Sequence, residues 1–346
     1  MSRVNIPIQN IYYLLSYAWN KLEERDVVSV KPLDCRSAVD LFAKVLSNGM
    51  SYIMRRGLDR GYVPHHERTS RLRGRIDFGT TLRTTYCRHP SLFCEYDELS
   101  YDVLHNQIVR TTIARLLLVP DMDDAIREEL RLIDQRLGHI SRIPLAKKHF
   151  SLVQLHSNNY FYDFLLKVCE LIYDNLMVSD EDGSTKFMDF LREEDAMGRL
   201  FEEFVRNFFK REQSRFQVGC EIINWQAKPL GDTPMDMLPT MRTDVSLTSP
   251  QRKIIIDTKY YVHALQVHYA KESIHSANLY QLHAYLTNTD AEEGVQSGCE
   301  GILLYPTVER ELDLQYEIKG HKISIRTINL NQEWQDIHRS LLRMVA

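Results

Sequence analysis

The run KIIIDTKYY at residues 253–261 sets three consecutive isoleucines before an acid, a threonine and a lysine. Its β-branched and aromatic content predicts a strand. Period-2 alternation puts Ile255, Asp257 and Lys259 on one face and Ile254, Ile256 and Thr258 on the other. A strand apolar on both faces is normally covered on both. Asp257 is therefore expected in a buried setting, where an unpaired carboxylate costs several kcal/mol.

The preceding run RTDVSLT, residues 242–248, is joined to it by Ser249, Pro250, Gln251 and Arg252, a connection that suits an antiparallel hairpin. Pairing Thr248 with Lys253 sets Asp244 opposite Asp257, with Cβ atoms about 5 Å apart. Two such carboxylates resist joint ionisation unless a divalent cation bridges them. Hard oxygen ligands favour Mg²⁺ or Mn²⁺ over Zn²⁺, and the backbone carbonyl of Thr258 is a candidate further ligand. The competing reading is a solvent-facing hairpin with ordinary surface charges. The triple isoleucine argues against it.

Around this hairpin the expected order is helix 196–212, strand 241–248, strand 253–261, helix 275–286 and strand 301–305, a mixed α/β arrangement. The first helix offers an acid at Glu202 or Glu203, with Glu202 nearer the apolar face. The second carries Gln281 and Tyr285 four apart on one face. His263, His268, His275 and His283 are spaced by five, seven and eight, which does not match short zinc-binding pairs, so surface or nucleic-acid contact is the simpler reading.

The N-terminal half reads as an α+β domain. Helices are expected at 6–19, with Asn10 as N-cap, and at 37–54, 100–119, 121–137 and 160–177. Residues 55–88 hold nine arginines (55, 56, 60, 68, 71, 73, 75, 83 and 88) against Asp59, Glu67 and Asp77. Arg71, Arg73 and Arg75 alternate as on a strand. Edge protection by charge and contact with phosphates or an acidic partner are both open readings of the run. The acidic, glycine-containing loop 179–185 marks a hinge.

At 346 residues two domains are expected, 1–155 and 156–346, the latter with its core at about 195–330. A net charge of −4 gives no bulk signal for a polyanion partner. Six scattered cysteines without a CxxC pair fit reduced thiols, and no stretch has signal-peptide or membrane-span character, so a cytoplasmic protein is expected. No P-loop motif is present, so the chain is not expected to bind a nucleotide that way.

Asp244, followed 13 positions later by Asp257-Thr258-Lys259, resembles the core of the PD-(D/E)xK nuclease superfamily. Gln281 and Tyr285 resemble the QxxxY element of its RecB-like members, and Glu202 or Glu203 the acid on the first helix. Across the whole chain, IPIQNIYYLLSYAW, RGRIDF, DVLHNQIVRTTIARLL, LPTMRTDVSL, DTKYY, NLYQLHAYL and NLNQEW resemble the McrC family, nuclease subunits of modification-dependent McrBC restriction systems. The resemblance implies a restriction-endonuclease-like domain with a central mixed sheet flanked by helices. It implies Mg²⁺-dependent cleavage of DNA carrying 5-methylcytosine, and an McrB-like AAA+ GTPase hexamer that this chain stimulates. Asp244, Asp257 and Thr258 would hold the metal, and Lys259 would position a water or stabilise the transition state. Gln281 and Tyr285 would orient the water or a phosphate oxygen, with Glu202 in support. The N-terminal domain would dock on the ring. Two alternatives stand beside this: a stand-alone nuclease or repair enzyme, and a catalytically silent activator of an AAA+ ring.

Overall fold

The computed structural model describes residues 6–21, 35, 37–85, 91–155, 160–178, 185–187, 193–231, 234–260, 265–268, 271–293, 299–307 and 311–346. Arg88, His263 and residues 179–184 of the expected hinge lie outside them. The chain forms two compact units, Glu23–Met188 and Met1–Leu22 with Asp189–Ala346. This division differs from the expected boundary at 155/156. The first helix belongs with the C-terminal sheet, and the 160–175 helix with the preceding helices.

In Glu23–Met188 the helices Ala38–Arg56, Leu104–Leu116, Asp124–Arg136 and Tyr160–Asn175 share one core, with Leu41, Phe42, Ile108, Ile113, Leu130 and Phe164 buried. Side-chain caps define two starts: Ser37 accepts from Asp40 N, and Asp123 from Ala125 N and Ile126 N. Strands β1 (Gly61–Thr69), β2 (Arg75–Ile76) and β3 (Leu92–Ser100) form a sheet of order β1-β3-β2, with the short helix Phe78–Thr85 between β2 and β3. The expected helix 100–119 begins only at Leu104, because β1–β3 pairing runs out to Gly61 and Ser100.

The arginine alternation is also corrected. Arg71 and Arg73 lie in the connection between β1 and β2, and only Arg75 is in a strand. Gly74, at φ +61°, breaks the run: a Cβ there would sit 2.3 Å from the Glu95 carbonyl oxygen. Strands β4 (Leu176–Val178) and β5 (Thr185–Phe187) close the unit as an antiparallel pair.

The other unit is built on a six-stranded mixed sheet. Its strands are β6 (Gln217–Gly219), β9 (Val245–Thr248), β10 (Lys253–Thr258), β13 (Glu300–Pro306), β14 (Asp313–Ile318) and β15 (His321–Ile328), in the order β14-β15-β13-β10-β9-β6. Two-stranded ribbons are made by β7 (Ile222–Ile223) with β8 (Met241–Arg242) and by β11 (Leu265–His268) with β12 (Lys271–Ile274). β10, β13 and β15 run parallel, and β9 and β14 pair antiparallel on either side. All six residues of β10 are buried, as the isoleucine run predicts.

Helix Ser276–Glu293 lies between β10 and β13 in sequence, as a parallel pair requires. Its Leu282, Tyr285 and Leu286 share a core with Ile255, Leu303, Tyr305, Ile323 and Ile325. The packing is close at Gly301, where a Cβ would meet Leu282 Cδ2 and Leu286 Cδ1 at 2.9 Å and force those side chains to shift. Helix Glu194–Glu212, with Phe201, Phe204, Phe208 and Phe209 buried, packs on β6, β9 and β10.

Helix Ile8–Ala18 packs on Glu194–Glu212: Tyr17 lies 5.4 Å from the Phe208 ring and donates to Glu212 Oε1 at 2.7 Å. Asn10 is not its N-cap. Pro7 holds that position, while the Asn10 amide is buried and donates to the carbonyls of Leu330 and Gln332 at 2.9 and 2.8 Å. Helix Trp334–Met344 completes this side, with Trp334 stacked on Tyr13. Among the described residues no helix is long and apolar enough to cross a membrane.

Candidate functional site

The β9–β10 register is the expected one, Lys253 opposite Thr248 through Ile256 opposite Val245. The strand expected over 241–248 is interrupted at Thr243 and Asp244. Met241 and Arg242 pair with β7 instead, and Thr243 Oγ1 is tied to Glu221 N at 2.8 Å and to Ser246 Oγ at 2.9 Å. The chain is thus diverted one residue before Asp244 and Asp257 would meet as a ladder pair. In place of that pair, Asp244 Oδ2 accepts from Thr258 N at 2.8 Å and from Thr258 Oγ1 at 2.9 Å. Its other oxygen is not engaged by Thr258.

Asp257, the fifth residue of β10, is fully buried, and neither carboxylate oxygen has a hydrogen-bond partner. Lys259 Nζ lies 2.9 Å from its Oδ2 as an ion pair without the angles of a hydrogen bond. Burial pushes the Asp257 carboxyl up to about 7; Lys259 opposes the shift, and the charges of Asp244 and Glu202 add to it. Among the described residues, therefore, three acids and one lysine act on one another at the end of β10.

Glu202 is half-buried and Glu203 exposed, which selects Glu202 as the acid facing this site. Its Oε1 accepts from Arg206 Nη1 at 2.8 Å, and the same nitrogen donates to the Asp244 carbonyl at 3.1 Å. On the Ser276–Glu293 helix, Gln281 Nε2 donates to Tyr285 Oη at 2.7 Å. Tyr285 is buried, and its hydroxyl pKa is raised by burial together with the charges of Asp257 and Asp244. Gln281 is exposed at the rim.

The description "McrBC 5-methylcytosine restriction system component" belongs to a family model that matches residues 9–306. The chain belongs to the McrBC family. It is 34% identical over 342 residues to the type IV methyl-directed restriction enzyme EcoKMcrBC of Escherichia coli strain K12, spanning 99% of this chain and 98% of that protein. Its fold is similar to that in the half-complex of Thermococcus gammatolerans McrB AAA+ hexamers with bound McrC. The TM-score is 0.61 at 17% identity, over 98% of this chain and 76% of the matched one.

In this McrBC-family chain the donor set at the end of β10 fits a hard divalent cation. Asp257 presents two buried oxygens with the Lys259 ammonium beside one of them, Asp244 has an oxygen that Thr258 does not engage, and no thiol or imidazole takes part in the contacts found there. A cation reverses the local field that otherwise disfavours the Asp257 carboxylate.

His275 precedes the Ser276–Glu293 helix and its carbonyl accepts from Asn278 N at 3.1 Å; the His283 ring lies 5.9 Å from that of His321. Among the described residues, the group of three potential ligand atoms within 4.8 Å of one another is His66, Asp77 and Glu95, in the sheet of the other unit. There Asp77 Oδ1 accepts from Thr80 N at 3.0 Å and Oδ2 lies 3.1 Å from His66 Nε2, a helix cap joined to a histidine contact.

One residue of the site escapes a reading by motif. Arg206 bridges Glu202 and the Asp244 carbonyl, and only its i,i+4 spacing from Glu202 on a half-buried helix face signals it.

Proposed function

We propose that this chain is the DNA-cleaving subunit of a 5-methylcytosine-dependent restriction complex, working with an McrB-like AAA+ GTPase hexamer and hydrolysing phosphodiesters with Mg²⁺. The observation that carries this reading is Asp257: a fully buried carboxylate with no hydrogen bond, beside Lys259 and within the field of Asp244 and Glu202. A buried carboxylate compensated by a single ammonium, with no hydrogen bonds on its oxygens, destabilises the fold. A divalent cation bound there would offset that cost.

Asp244 and Asp257 hold the metal, with the Thr258 carbonyl as a further ligand. When bound, a divalent ion neutralises charge on the scissile phosphate and acidifies a water. Thr258 fixes the Asp244 carboxylate through its N–H and hydroxyl, so that ligand is preorganised. Lys259, held beside Asp257, presents a point charge to the phosphate or water as negative charge develops. Gln281, braced by Tyr285, orients a water or phosphate oxygen at the rim, and Glu202 supports the site through Arg206. An intact set of this kind disfavours a catalytically silent activator.

The test is cleavage of 5-methylcytosine-containing duplex DNA by the chain with its GTPase partner, GTP and Mg²⁺. Cutting is expected, and chelation of Mg²⁺ should stop it. The isolated chain, lacking a P-loop, is expected to hydrolyse no GTP. GTP turnover by the isolated chain at the rate of the assembled complex would overturn this division of labour.

For the three-stranded sheet we propose the ring-docking role. Tyr62 and Leu99 on its strands, Leu72 in the β1–β2 connection and Phe78 and Leu82 on the short helix are all at least 48% exposed, apolar surface of the kind that marks a protein-binding face. Sheet pairing also sets Glu95 opposite Arg75 and brings Asp97 and Glu98 onto the same sheet, so the basic run is partly neutralised. Replacing Arg71, Arg73 and Arg75 together with alanine is expected to lower GTPase stimulation and leave the salt dependence of DNA binding nearly unchanged. A drop of about three in the slope of log affinity against log salt, about 0.9 per lost phosphate contact, with normal GTPase stimulation, would assign the arginines to DNA instead.

A further inference from the structure

The segment DVLHNQIVR at residues 102–110 is left unexplained by the chemistry above. It begins where the chain leaves β3 and enters the Leu104–Leu116 helix. Within it Asn106 is 1% exposed, and its one side chain reaches both chain segments at the base of the β1–β3 pair. Asn106 Nδ2 donates to the Asp59 carbonyl, just before β1, at 3.0 Å, and to the Tyr101 carbonyl, just after β3, at 2.8 Å. Both amide protons are used. Asn106 Oδ1 accepts from Tyr162 Oη, on the Tyr160–Asn175 helix, at 2.7 Å, and that hydroxyl accepts in turn from Asp59 N at 3.2 Å.

His105 closes the group: its Nε2 lies 3.1 Å from Asp59 Oδ2, and its ring meets the Tyr162 ring edge-on at 4.7 Å. Tyr162 is 3% exposed and His105 8% exposed. The sheet has little core of its own to anchor it. The burial of β1 and β3 is mostly intermediate to exposed, with Cys94 the one fully buried residue of the two strands. Its attachment to the helices therefore depends strongly on the two chain segments at its base.

We propose that Asn106, braced by Tyr162, is the positioning residue that sets the three-stranded sheet rigidly on its helical body, so that the sheet meets the GTPase ring in a productive orientation. The proposal rests on the ring-docking reading of the sheet. No apolar residue can replace Asn106, because two carbonyls and a hydroxyl would each lose a partner in a dry environment. Aspartate has the shape but no amide protons, and its charge faces two carbonyl oxygens.

The test compares the full chain with N106A, N106D and Y162F, the last of which keeps the ring and removes only the hydroxyl. Amide hydrogen exchange of the chain alone reads the latch. In N106A and N106D, exchange in β1 and β3 is expected to accelerate about tenfold or more while the helices keep their protection; Y162F should give a smaller acceleration of the same pattern. GTPase stimulation of the partner should fall in the same rank order, with DNA cleavage falling only as far as the GTPase does.

Unchanged exchange in β1 and β3 in all three variants overturns the latch. Global loss of protection in N106A makes Asn106 a folding residue, and then Y162F decides: local loosening of the sheet supports the latch and uniform exchange overturns it. Local loosening with full GTPase stimulation overturns the link between orientation and stimulation. If the triple arginine variant also stimulates normally, the docking reading itself has failed, and the latch is then only a structural device.

Discussion

Asp257→Asn is expected to abolish Mg²⁺-dependent DNA cleavage, by at least about a thousandfold in turnover, while leaving the metal-free protein as stable as the parent or more so. The side chain keeps its shape, so no cavity opens in β10, but the metal loses an anionic ligand. The stability half follows from burial. The Asp257 carboxyl has its pKa pushed up to about 7 in the folded chain, from an ordinary value of 3.8. The folded state thus binds this proton more tightly than the unfolded state. Raising the pH through the interval between those values therefore destabilises the fold, and the loss is complete above the upper one.

At about 1.4 kcal/mol per unit the shift corresponds to roughly 4 kcal/mol as a ceiling. The buried asparagine amide and the Lys259 ammonium left beside it reduce the gain, leaving about 1–2 kcal/mol and a melting temperature higher by a few degrees. The measurement is thermal unfolding of parent and variant in chelator across this pH range, read as the difference between the two. The variant should lack the parent's loss of stability between the two pKa values. A strong fall in melting temperature, or normal cleavage, would remove Asp257 from the site.

Lys259→Ala is expected to retain Mn²⁺ binding and lose turnover by about a hundredfold to a thousandfold, the range for deleting one preorganised electrostatic partner of a transition state. Lys259 is the cation facing Asp257, so its removal leaves the buried carboxylate less compensated and the metal-free protein less stable by about 1–3 kcal/mol. Added Mn²⁺ replaces the lost charge and should restore much of that stability. Lys259→Arg is expected to recover little activity, because a planar fork does not present the compact charge of an ammonium in the same place. Mn²⁺ titration beside single-turnover cleavage checks the split. Metal affinity falling as far as turnover would make Lys259 a structural part of the metal site.

Much of the site is legible in order along the chain because it is built on one hairpin and two helices. The isoleucine run announces that β10 is buried on both faces, and the four-residue connection sets the register that pairs Thr248 with Lys253. Helical spacing selects Glu202 over Glu203 and pairs Gln281 with Tyr285. These are local relations, governed by periods of 2 and 3.6 that a sequence displays directly.

Where the expectations failed, a distant partner had intervened. The strand over 241–248 breaks because β7 captures Met241 and Arg242, which turns Asp244 toward Thr258. Asn10 reads as a cap by type, but the carbonyls of Leu330 and Gln332, more than 300 residues away, claim its amide. Arg71 and Arg73 alternate like strand residues, yet Gly74 must pass against Glu95 and Tyr96, and the strand cannot continue through it.

Local periodicity and the short connection are enough for the mixed α/β class, the β9–β10 register and the placing of Asp257 and Lys259 together at the end of β10. Long-range packing sets the membership of the two units, the turn of Asp244 toward Thr258, the bridging of Glu202 and Asp244 by Arg206, and the grip of Asn106 on the two chain segments at the base of the β1–β3 pair. Those depend on which buried donors and acceptors lie within hydrogen-bond reach of one another. Burial penalises every unpaired one, so the pairing is settled by the packed chain as a whole.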